Sequence, residues 1–221
     1  MLAEASPDNI DAMLREARSH LQNARFAEAE ALCARILEAA PDNIDALYTL
    51  AVTQRMQRQV PAALSTLDKL IAIDAGYGRA WQERGHCFRD SGLTEEAIAA
   101  YQRAVTHNGA LVASWRILSQ MHDKAGREGP ANFAHAQYTH LSALPPELLS
   151  VASFIQEGRI FKAEQLCRAF LQRNGHHVEA MRLLADIGMG KRIASMVGKK
   201  MAVLLTETGV GYRFQLQDNP P

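Results

Sequence analysis

This chain is poor in the residues that staple, anchor or steer a protein. Its 221 residues include three cysteines, Cys33, Cys87 and Cys167, an odd number with no Cys-x-x-Cys spacing. That pattern argues against a disulfide framework or a thiolate zinc site, and it assigns all three to core packing. Basic and acidic side chains number 24 each, so the formal net charge is zero. Bulk attraction to nucleic acid or to an anionic membrane therefore has no support. No apolar run approaches a membrane span; Met201–Leu205 is far too short. Met1–Asp11 carries acids instead of a basic region followed by an apolar stretch, so no secretory signal is expected and the cytoplasm is the expected compartment.

What the chain does have is a repeat. Pro-Asp-Asn-Ile-Asp-Ala occurs at Pro7–Ala12 and again at Pro41–Ala46, an offset of 34 residues. That interval accommodates two antiparallel helices and two short turns. The step continues through Met13, Leu47, Trp81 and Trp115, through Ala17, Ala51, Gly85 and Ser119, and through Ala29, Ala63, Ala97 and Ala131. Small residues such as Gly85 and Ala97 allow paired helices to approach, and Trp81, Phe88 and Tyr101 fill the space around the crossing. Pro41 ends one unit, Asp42-Asn43 supply turn and N-cap chemistry for the next, and Gly92 and Gly126 stand where a left-handed residue is needed between helices.

The copy running from Gly78 through Trp81, Gly85, Phe88, Gly92, Ala97 and Tyr101 resembles the tetratricopeptide repeat (TPR), with Arg84 and Phe88 as departures. The expected fold is all-α: a right-handed α-solenoid of antiparallel helix pairs, the TPR superhelix, with an irregular C-terminal tail. The expected organisation is a lead-in over 1–9, four units over 10–143, a shifted fifth unit and the first helix of an unfinished sixth over 144–188, and an atypical tail over 189–221. Individual units open near Ile10, Ile44, Gly78 and Val112. Ala163 lies 32 residues after Ala131, so the array slips by two, with an altered helix angle expected at Pro145-Pro146. In the sixth unit Val178–Ile187 reads as a helix with Met181, Leu184 and Ala185 in register. No second helix with the small-residue step follows, and Gly188-Met189-Gly190 breaks the pattern. Lys191–Thr206 is expected to form an amphipathic helix.

No chemistry-bearing constellation emerges. His20 and His122 fall at the position of Phe88 and read as packing residues, His176-His177 point apart, and His135 and His140 share no helical face. No metal, cofactor or catalytic residue is expected. Gly198-Lys199 lacks the upstream glycine and downstream hydroxyl of a phosphate loop, and Gly209-Val-Gly211 lacks the flanking strand and helix. A binding role is the natural reading, with the first helices of the units lining a groove. The side chains expected to project there are Arg18, Tyr48, Val52, Arg55, Arg79, Gln82, His86, Arg89, Arg116 and Gln120. Five arginines on one face suit a peptide or protein segment carrying carboxylates. The carboxylate clamp of chaperone-binding TPR proteins is not matched: Leu14, Arg18, Thr49 and Glu83 stand at its key positions, and only Arg79 is compatible.

Leu141–Leu149, Glu157-Gly158-Arg159, Ala163–Arg168 and Glu179–Ala185 resemble the N-terminal region of bacterial TPR-containing sulfotransferases. That resemblance implies the non-catalytic arm of an enzyme whose C-terminal domain binds the sulfate donor PAPS. The Pro-Arg-Ser-Gly-type loop of that domain is absent from this chain. Leu204–Phe214 resembles the wing hairpin of OmpR-type regulators without the recognition helix. Together with the unfinished sixth unit, this predicts a truncated, frameshifted or fused gene product. It also predicts self-association through the uncapped end, whose apolar side through Met181 and Leu184 needs cover.

Overall fold

The computed structural model describes residues 7–189; the tail helix expected from Lys191, the two glycine segments and the wing-like stretch lie outside the described residues. Eleven helices and no strand occur among the described residues. They are α1 (Pro7–Gln22), α2 (Phe26–Ala39), α3 (Ile44–Met56), α4 (Val60–Ile73), α5 (Gly78–Asp90), α6 (Thr94–His107), α7 (Val112–Lys124), α8 (Glu128–Ser142), α9 (Pro146–Gln156) and α10 (Ile160–Asn174). The eleventh, α11, covers 178–189. The chain divides into two compact units, one ending at Arg159 and the other beginning at Ile160.

In the first unit each helix from α1 to α8 packs on the next, and α1 meets α3 and α3 meets α5 directly. The small-residue ladder explains the close pairing. Ala29, Ala63 and Ala97 are fully buried and Ala131 nearly so. A Cβ added at Gly85 would stand 2.8 Å from the Tyr101 ring, and one at Gly78 would stand 2.7 Å from the Asn108 Cβ. α5 and α6 are therefore in close contact at the start of α5 and again at its middle, in a geometry that no larger residue permits without displacement. The core is a row of linked clusters. Met13, Leu14, Ile36 and Ala46 join the first two helix pairs, and Leu47, Leu67, Leu70 and Tyr77 fill the next. Trp81, Ala104 and Leu111 follow, then Tyr101, Ile117, Leu118 and Ala134. Both indoles serve the same purpose: Trp81 Nε1 donates to the Ala75 carbonyl and Trp115 Nε1 to that of Gly109, each at 2.9 Å, pinning the loop that enters the helix.

Arg84, the departure from the repeat pattern, has a structural reason. Its guanidinium lies over the Trp81 and Phe88 rings, 5.8 and 5.5 Å from their centroids, and pairs with Asp68 on α4. The aliphatic stem and planar head cover the aromatic surface that a leucine would cover. The cysteines are buried and free; burial pushes the Cys33 thiol up to about 12 and the Cys87 thiol up to about 11.

The turns show one feature that the sequence conceals. Gly92, Gly126 and Gly158 have φ of 76°, 68° and 70° at the turn between paired helices. At the same place in the first two pairs stand Ala24 (φ 56°) and Arg58 (φ 63°). A side-chain-bearing residue in this region costs about 1 kcal/mol relative to glycine. Arg58→Gly is therefore expected to raise stability by about 0.5–1 kcal/mol, read as a higher urea midpoint, and a lower midpoint would refute the strain.

The two-residue slip lies elsewhere than at the proline pair. α3, α5, α7 and α9 begin at Ile44, Gly78, Val112 and Pro146, successive steps of 34. α9, however, is 11 residues long where α3, α5 and α7 are 13. The missing residues come from the end of α9, while Pro146 opens that helix in register, at a position where its absent N–H costs little.

In the second unit, α10 buries Ala163, Cys167 and Phe170. Cys167 Sγ lies 3.1 Å from the Ala180 carbonyl, and Phe170 meets His177 edge-on. α11 buries Ala180, Leu183 and Ile187, while Met181 is 42 % exposed. Ala180 takes the place of Ala46 and Ala80 on the inner face of a first helix. Met181 takes that of Trp81, which faces the unit's own second helix.

Candidate interaction groove

The first helices of the pairs share a face, and the structure brings most of the expected side chains to it already engaged. Arg18 donates to Asp45 at 2.8 Å. Arg55 Nε donates to Glu83 Oε2 at 2.7 Å and lies 3.5 Å from Asp90. Arg79 Nε donates to Glu157 Oε1 at 2.8 Å. Gln82 donates to Ser114 Oγ at 2.9 Å. Tyr48 is half-buried and packs edge-on against Tyr77. His86 is half-buried too, and its Nδ1 is 2.7 Å from the Tyr101 hydroxyl. Burial, with the Arg55 and Arg89 charges adding to it, pushes His86 down to about 4. It is therefore neutral at pH 7.

The Arg55–Glu83 pair is the most deeply placed of these. Their side chains are 16 % and 8 % exposed, and burial pushes the Glu83 carboxyl up while Arg55 pulls it back. Sequence spacing identified Arg55 as a projecting cation. Its acid partner one unit on, 28 residues away, cancels that charge.

The open part of the face is at the other end. Arg89 is exposed and its ion pair among the described residues is with Asp90, also exposed, at 3.3 Å, a contact of little energetic weight. Arg116 and Gln120 are exposed one turn apart on α7. A depression of about 410 Å³ is lined by Arg89, Thr94, Gln120 and Lys124 over Ile117 and Met121. Sequence reasoning missed Lys124, Ile117 and Met121, which come from α7 and meet Arg89 only because α5, α6 and α7 pack together. Among the described residues no three His, Cys, Asp or Glu side chains converge where a metal could be held, and no helix is long and apolar enough to cross a membrane.

Antiparallel helix pairs stacked at a fixed period define a helical-repeat protein, a class that works by presenting a face. The particular repeat is the tetratricopeptide repeat: residues 1–53 and 20–84 match one family model of that description, and residues 78–108 match another. Residues 1–108 thus match the tetratricopeptide repeat. No curated protein matches it. Similar solved structures include MamA (17 % identity, 62 % of this chain and 81 % of that one, TM-score 0.54). PilF of Pseudomonas aeruginosa has 20 % identity over 88 % of this chain and 91 % of its own, with TM-score 0.54. PilW, a widely conserved type IV pilus biogenesis factor, has 18 % identity over 81 % and 84 %, with TM-score 0.54. At such identities the likeness concerns the fold alone.

Proposed function

We propose that this chain is an interaction scaffold whose first-helix face holds a protein or peptide segment bearing both carboxylates and apolar side chains. The observation that carries this reading is the depression where Arg89 and Lys124 flank a floor of Ile117 and Met121. An amphipathic segment seated there satisfies both charges and buries the floor. Arg116 extends the cationic side along α7. The cytoplasm, where no disulfide would be needed, is the compartment this reading assumes.

Arg89→Glu with Arg116→Glu is the test. Neither side chain is buried, so the fold is expected to keep its urea midpoint within about 0.5 kcal/mol. A partner captured by the unaltered chain and identified by mass spectrometry is expected to bind the double variant at least tenfold more weakly, with a shallower salt dependence. Unchanged affinity would sink the reading.

A second reading makes the chain the substrate-presenting arm of a PAPS-dependent sulfotransferase. It rests on the resemblance carried by Leu141–Leu149, Glu157-Gly158-Arg159, Ala163–Arg168 and Glu179–Ala185. In that reading the face described here would hold the protein to be modified, and sulfate transfer would need a separate catalytic domain.

A further inference from the structure

The N-terminal edge of the groove already holds a ligand, and the ligand is this chain. The C-terminal end of α9 lies against the starts of α3 and α5 and the corner between α6 and α7. Glu157, whose side chain is 3 % exposed, points its carboxylate into that corner. Its Oε1 accepts from Arg79 Nε at 2.8 Å, from Ser153 Oγ at 3.1 Å and from Asn108 Nδ2 at 3.4 Å; Arg159 Nε is 3.5 Å from Oε2. Asn108 also donates to Ser153 Oγ at 2.7 Å. Gly158, with φ 70°, reverses the chain, so that Arg159 turns back to donate to Asp45 at 3.0 Å. Asp45 is shared with Arg18. Burial opposes ionisation there, but the Arg159 and Arg18 guanidiniums outweigh it and hold the Asp45 carboxyl below its usual range.

The receiving groups therefore form a two-charge socket. Arg79 and Asn108 accept a carboxylate, and Asp45 accepts a cation presented two residues later. Arg79 and Asn108 come from the α5–α6 pair and Asp45 from the pair before it, so the socket exists only in the folded stack. Beside it a depression bounded by Asp42, Asp45, Asp74 and Tyr77 opens along Glu157 and Arg159, giving a competitor a route in.

We propose that this socket is a second recognition site of the groove, for a helix end carrying a carboxylate and, two residues on, a cation. The chain's own Glu157 and Arg159 fill it until a partner with the same pair of charges displaces them. This deepens the scaffold reading and rests on it, but it concerns Arg79 and Asp45 instead of Arg89 and Arg116. A tethered segment acts at an effective concentration of about a millimolar. A free competitor meets that handicap in the unaltered chain and escapes it once the internal charges are removed.

The probe is a labelled peptide of residues Pro145–Arg159, titrated with the whole chain. It is expected to bind Glu157→Gln/Arg159→Gln at least tenfold more tightly than it binds the unaltered chain. Adding Arg79→Gln to that variant is expected to abolish the gain. Equal binding to unaltered and altered chains overturns the proposal, as does a gain that survives the loss of Arg79. Helical circular dichroism screens the variants for folding. A measurement on the unaltered chain is independent of them: saturating peptide is expected to speed amide hydrogen exchange across 153–159, and unchanged exchange overturns displacement. Loss of partner binding in Arg89→Glu/Arg116→Glu with a normal peptide result, or the reverse, separates the two readings.

Discussion

Tyr101→Ala is expected to destabilise the first unit by about 3–5 kcal/mol, the range for emptying a buried aromatic site. Tyr101 has no exposed surface. Its ring fills the gap left by the missing side chain of Gly85 and meets His86 edge-on, and its hydroxyl is hydrogen-bonded to His86 Nδ1. Truncation leaves a void at the α5–α6 crossing and an imidazole without its partner. A cycle with Gly85→Ala gives the sharper check. Alone, that substitution drives a methyl to 2.8 Å from the tyrosine ring and is expected to destabilise. In the Tyr101→Ala background the same methyl enters vacated space, so the two effects are expected to fall short of their sum by 1 kcal/mol or more. Simple additivity in urea unfolding would show that Gly85 and Tyr101 do not share one packing site.

Arg55→Ala is expected to cost about 3–5 kcal/mol, although spacing alone makes Arg55 look like a groove cation. The loss comes less from the ion pair than from Glu83, which the substitution leaves buried without its guanidinium. Arg55→Leu combined with Glu83→Leu removes both charges and is expected to recover most of the loss. The sign with pH follows from the same burial. Without Arg55 the folded-state pKa of Glu83 rises further above its unfolded value. The penalty is then full above that raised pKa and shrinks as the pH falls through it toward the unfolded value near 4.3. A penalty that grows in acid would contradict this account. Arg55 is thus an unsuitable place to reverse charge when testing for an acidic partner, because the altered protein would lose stability as well as binding. Arg89 and Arg116 carry that test cleanly.

The helix pairs were legible because they follow from local and periodic rules. The 34-residue step, the alanine ladder and the left-handed glycines each report a constraint that acts on neighbouring residues. The Asn43 side chain, read as capping chemistry, accepts from the Ala46 N–H at 2.9 Å as that rule requires. The candidate site was legible only as a set of positions. Periodicity places Arg18, Arg55 and Arg79 on one face but says nothing of their partners. Asp45, Glu83 and Glu157 lie 27, 28 and 78 residues from them. Arg89, Lys124, Ile117 and Met121 form one depression because three helices converge, and no window of sequence contains that geometry.

By itself the sequence determined the repeat, the all-helical stack and the absence of a strong charge field, since period, small-residue spacing and composition are properties of the chain. Only the tertiary structure decided which charges remain available. Whether an arginine recruits a partner depends on the acid that reaches it through space, and the two-residue shortening of α9 precedes the turn that carries Glu157 onto Arg79.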